Sequence, residues 1–128
     1  MKKIKKPNKK TLTKNLDKVW AEAVKQKADF QCEYCGKVKP LNSHHFYSRS
    51  IRSVRWDVDN GFCLCVGCHV FSSKFSAHKT PAEFVEWAIE KRGQEWYDIV
   101  KERKNTIKKF ATFELEEMIN EIKSHLSR

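Results

Sequence analysis

A chain of 128 residues with 40% hydrophobic and 12% aromatic content has material for one modest core, and 26 Lys and Arg against 16 Asp and Glu leave a formal net charge of +10. A single domain with a polyanionic partner is the first expectation, with nucleic acid ahead of an anionic membrane surface. No apolar run approaches the roughly 20 residues that span a bilayer, and the charged start lacks a secretion signal's apolar stretch, so the expected setting is the cytoplasm with no membrane partner.

Residues 1–14 carry seven lysines and no acid around Pro7 and Asn8, a composition that predicts an extended, disordered basic arm serving solubility or phosphate binding. Residues 15–128 then form the domain. Leu16, Val19, Trp20, Ala23 and Val24 recur at helical spacing and predict an amphipathic helix ending near Ala28. In the following stretch Phe30–Gly36, Cys32 and Cys35 flank a tight turn in which Gly36 can adopt a left-handed conformation.

A short strand is expected around Ser43–Ser48, then an arginine-bearing loop to Asn60 and a second strand over Gly61–Cys65, with a helix starting near Gly67. Thr80, Pro81 and Glu83 supply an N-cap, a first-turn proline and a capping-box acid for a helix carrying Phe84, Val85, Ala88 and Ile89, which Gly93 stops. Trp96, Ile99 and Val100 mark another helix, and Leu115, Met118, Ile119, Ile122 and Leu126 mark a last one behind a Thr112 cap. The fold class expected is α+β, with a metal-stapled core over about 30–79 and helices over 80–128. Trp56 and Trp87 read as core residues.

Five cysteines, an odd number confined to positions 32–68, suit thiolate ligation in a reducing compartment better than a disulfide framework. Cys32-x-x-Cys35 and Cys65-x-x-Cys68 offer tetrahedral zinc two pairs whose turns each present both sulfurs to one ion. Cys63-x-Cys65 is a competing pair without the turn, and Cys63 is better read as a buried strand residue. Four thiolates leave zinc no open position, so any chemistry belongs elsewhere. Four of the five histidines fall between positions 44 and 78, with His44 and His45 adjacent and His69 next to Cys68. On a helix, neighbours diverge by about 100°, which lets Cys68 face zinc while His69 faces a second ion. Arg49, Arg52 and Arg55 bring positive charge close in sequence to these histidines and are candidate DNA contacts.

Ser43-His44-His45-Phe46, Asp57-Val58-Asp59-Asn60-Gly61 and Leu64-Cys65-Val66-Gly67-Cys68-His69, interleaved with the cysteine pairs, resemble the zinc-containing HNH endonucleases of the ββα-metal type. Within that group the stretch Ser43–Arg103 is most similar to the phage lambda NinG recombination nucleases. The resemblance implies a zinc-stapled ββα-metal motif and a metal-dependent DNA endonuclease that hydrolyses phosphodiester bonds, with branched recombination intermediates as the candidate substrate. It implies that His45 is the general base on water, that Asn60 holds the loop and orients His45, and that His44 and His69 ligate a catalytic Mg2+ or Mn2+. Ser73 stands where many relatives carry a further histidine, which leaves Ser73 or His78 to complete the shell. One such motif per chain fits a homodimer or two successive nicks on duplex DNA. The alternative is a zinc-ribbon module that binds nucleic acid without cutting it.

Overall fold

The computed structural model describes residues 8–126. Helix α1 runs over Lys9–Lys27, opened by Asn8, whose side-chain oxygen accepts the Thr11 N–H at 2.8 Å. The expected disordered arm is therefore too long: Lys9, Lys10 and Lys14 lie on this helix, and residues 1–7 fall outside the described part. The cause is Leu12, which extends the apolar stripe a turn earlier than Leu16 and is 4% exposed. Leu12, Leu16, Val19, Trp20 and Val24 form one core with Leu115 and Ile119 of the last helix, α5 (Thr112–His125).

Strand β1 (Leu41–His45) pairs antiparallel with β2 (Gly61–Cys65), with Ser43 opposite Cys63 and His45 opposite Gly61. β1 starts two residues and ends three residues earlier than expected, and it ends there because the chain leaves the sheet after His45. There the Phe46 N–H reaches the Asn60 carbonyl, and the Asn60 side chain takes both backbone groups of Tyr47. The loop beyond contains a single helical turn, α2 (Arg52–Arg55). All five residues of β2 are buried, and their alternation serves two cores. Cys63 points toward α1 and Trp56, whereas Phe62 and Leu64 join Phe84 and Ala88 of α3 (Pro81–Arg92) on the other side.

At the α3 start, the Thr80 hydroxyl is spent on Ser76, donating to its carbonyl and accepting its N–H, so Thr80 does not cap as expected. Gly93, at φ +94°, turns the chain into α4 (Gln94–Lys104). Thr112 is the first residue of α5 and not its cap, and Glu114 receives the Ala111 N–H. Arg92 ties these layers together. Its guanidinium lies 3.5 Å from the Phe62 ring centre, donates to the Asp59 and Gly61 carbonyls, and pairs with Glu33, whose other bond is to the Cys63 N–H. The fold is thus α+β, helices around a two-stranded antiparallel sheet. Among the described residues no helix is long and apolar enough to cross a membrane.

Candidate metal centres

Cys32, Cys35, Cys65 and Cys68 bring their sulfurs within 4.8 Å of one another, with Cys35 and Cys65 at 3.5 Å. Tetrahedral zinc with Zn–S bonds near 2.3 Å separates its sulfurs by about 3.8 Å, so the four thiols are close enough together to hold that ion. Each pair forms a matching turn in which the Cys35 N–H points at Cys32 Sγ and the Cys68 N–H at Cys65 Sγ, both at 3.5 Å. Gly36, at φ +81°, lets the first turn close with its N–H on the Cys32 carbonyl. Burial alone would push the Cys32 thiol up, but backbone N–H groups aimed at its sulfur bring it down to about 7, toward the thiolate a metal needs. Cys63 stays outside this group, buried as expected on β2, and burial next to the Glu33 carboxylate pushes its thiol up to about 11.

The histidines form a second candidate centre. His69 Nε2 lies 3.1 Å from both His44 Nδ1 and His78 Nε2, and the three ligand nitrogens fall within 4.8 Å of one another. Metal–nitrogen bonds of about 2.0–2.1 Å set nitrogens roughly 2.9–3.4 Å apart in octahedral or tetrahedral geometry, so this set also fits one ion. His78 joins His44 and His69. The two centres share one piece of backbone. Cys68 and His69 lie on a wide helical turn (Gly67–Phe71), and the next loop is sewn to it by Ala77 N–H to the Cys68 carbonyl at 2.9 Å and His78 N–H to the His69 carbonyl at 3.0 Å. Those bonds carry His78 onto His69.

Burial, followed by repulsion from the neighbouring imidazoles, pushes His44 down to about 3, and the same two causes lower His69. At neutral pH both rings are uncharged and offer lone pairs. Behind them, Phe84 meets His44 edge-on and the Asn42 amide lies 3.2 Å from His69 Nδ1. Sequence reasoning missed Asn42; its place two residues before His44 on β1 was the available signal.

His45 does not join the trio, because successive strand residues face opposite sides. Its ring stacks on Trp20 of α1 with centroids 3.8 Å apart and planes 10° apart, and its Nε2 lies 2.9 Å from the Arg55 carbonyl. A carbonyl only accepts, so Nε2 carries the proton and Nδ1 keeps the lone pair. Burial lowers the affinity of His45 for a second proton despite that bond. His44, His45, His69 and His78 nonetheless line one cleft of about 660 Å³, which opens around the end of β1. Asn60 is fully buried behind it and spans the loop by bonding Tyr47 and the Val54 carbonyl.

The three arginines separate. Arg49 lines the cleft with its side chain 67% exposed. Arg55, 13% exposed, is held by Asp17 through two bonds of 3.0 and 2.7 Å that occupy its Nε and one terminal nitrogen. Arg52 lies over Trp56 and lines a different depression beside Arg103. Of the expected DNA contacts, only Arg49 shares the cleft with the histidines. No family model matches the chain, and neither a curated protein nor a solved structure does.

Proposed function

We propose that this protein is a metal-dependent endonuclease of the HNH type that hydrolyses DNA phosphodiester bonds in the histidine cleft. One observation carries the reading: three imidazoles converge in a cleft that also holds a fourth, carbonyl-tethered imidazole. Three ligands leave an ion open positions, unlike the four-thiolate cluster, which is suited to a purely structural zinc.

His44, His69 and His78 would hold the ion, and an all-nitrogen set suits Mn2+, Co2+, Ni2+ or Zn2+ better than oxygen-preferring Mg2+. Bound there, it supplies Lewis-acid stabilisation of charge on the phosphate and on the departing oxygen. His45 takes a proton from the attacking water at Nδ1, the nitrogen left free by the Arg55 carbonyl. Arg49 provides positive charge at the rim of the cleft, where an incoming phosphate meets it first. The net charge of +10 favours association with the DNA backbone.

The test is nicking of supercoiled plasmid by protein stripped with chelator and reloaded with single metals. Wild type should nick with a transition-metal ion. His45→Ala should lose at least about 100-fold in rate while retaining DNA binding. Equal nicking by both proteins removes His45 from the mechanism; DNA binding without nicking in any metal makes the chain a nucleic-acid-binding module.

A further inference from the structure

We infer that one flank of α1 acts as a positioning wall for His45, with Trp20 and Asp17 as its two positioning residues. The catalytic consequence rests on the endonuclease reading; the orientation itself does not.

His45 is the last residue of β1, and the strand alone leaves its ring free to turn about both side-chain torsions. Two constraints remove that freedom. The Trp20 indole covers one face of the ring in a near-parallel stack, and the Arg55 carbonyl fixes its edge through Nε2. Each constraint is itself anchored. Trp20 is 2% exposed and donates its Nε1–H to the Asp57 carbonyl at 2.8 Å, so the indole has no room to swing. Asp17 grips the Arg55 guanidinium with both carboxylate oxygens and also accepts the Trp56 Nε1–H at 2.8 Å, which holds the turn carrying the Arg55 carbonyl.

Asp17 and Trp20 are three residues apart, hence neighbours on one flank of the helix, and both line the histidine cleft. The strand is fastened to the same helix where the Ser43 hydroxyl donates to the Ala21 carbonyl at 2.7 Å. Helix, strand and loop therefore meet around one imidazole, and its plane and tautomer are set before any substrate arrives. Orientation of this kind appears in turnover, since displacement of a reacting group by about 1 Å costs roughly 100-fold.

The experiment uses the full, metal-loaded chain and the variants Trp20→Phe, Trp20→Leu and Asp17→Asn, with fold checked by denaturant unfolding. Proton NMR, with signals assigned through His45→Gln, reads the ring directly. In wild type the His45 ring protons should be shifted upfield by the indole, Trp20→Leu should return them to ordinary positions, and Trp20→Phe should keep part of the shift. Asp17→Asn should hasten solvent exchange of the His45 Nε2–H. On plasmid DNA, kcat should fall about 10- to 100-fold in Trp20→Leu, with KM within about twofold and partial recovery in Trp20→Phe. Should Trp20→Leu fail to fold, Trp20→Phe and Asp17→Asn decide the question by the same readouts. Unmoved His45 signals, or folded variants with wild-type kcat, overturn the inference. A wild type inactive in every metal overturns the endonuclease reading, while the NMR shifts still decide the orientation.

Discussion

Gly61→Ala is the substitution whose effect the packing defines most sharply. Gly61 sits at φ −112° and ψ 145°, ordinary strand values that alanine adopts without strain, so the outcome depends on space alone. A Cβ there would lie 2.3 Å from Val24 Cγ2 and 2.9 Å from Trp20 Cζ2. Ordinary carbon contacts start near 3.5 Å, so α1 must retreat by about 1 Å or the strand must bend away. Overpacking of this size costs about 1–3 kcal/mol, which urea denaturation resolves. Val24→Ala alone should cost about 2 kcal/mol through lost methyl burial. The double variant should be more stable than the sum by at least about 1 kcal/mol, because the nearest clash is gone. Gly61→Ala within about 0.5 kcal/mol of wild type, or strict additivity with Val24→Ala, would refute the close approach of α1 to β2.

Arg92→Ala should cost about 3–5 kcal/mol in the same assay because it strands the 13%-exposed Glu33 carboxylate, and adding Glu33→Gln should recover part of the loss. His44 binds its proton near 6.5 when unfolded and near 3 when folded. The unfolded chain therefore takes up the proton first as pH falls, and this contribution, whole above pH 6.5, is lost progressively toward pH 3. Unfolding titrations over pH 7 to 5 should accordingly show wild type losing stability relative to His44→Gln, with a slope approaching about 1.4 kcal/mol per pH unit. Cys68→Ser should weaken metal binding at both centres, since His69 and His78 hang from the Cys68 turn, whereas His78→Ala should spare the thiolate cluster; Co2+ absorption bands, which differ for thiolate and imidazole ligation, read the two separately.

How much of this was legible in the residues follows from how local each feature is. The cysteine turns, β2, and the helices α3 to α5 are encoded in spacing and local composition, and Cys63 was readable as a strand residue from alternation. His78 was readable only as an alternative to Ser73, because its approach to His69 depends on two backbone bonds across a loop without periodicity. The bounds of β1 shifted for a related reason: Asn60, fifteen residues after His45, takes the backbone of Tyr47 and ends the strand early. Arg55 looked like a phosphate contact beside Arg49 and Arg52, yet Asp17, far away in the chain, claims it. The same separation hid Trp20, whose place in the apolar stripe of α1 explains its burial but not the histidine lying on its outer face.

A second, imidazole-lined metal centre beside the thiolate cluster is the claim on which the proposed chemistry rests, and metal stoichiometry under native mass spectrometry tests it. Wild type dialysed against zinc should carry two ions per chain, and His44→Ala or His78→Ala should carry one and remain folded. A wild type that holds a single ion, or histidine variants that still hold two, would contradict the claim.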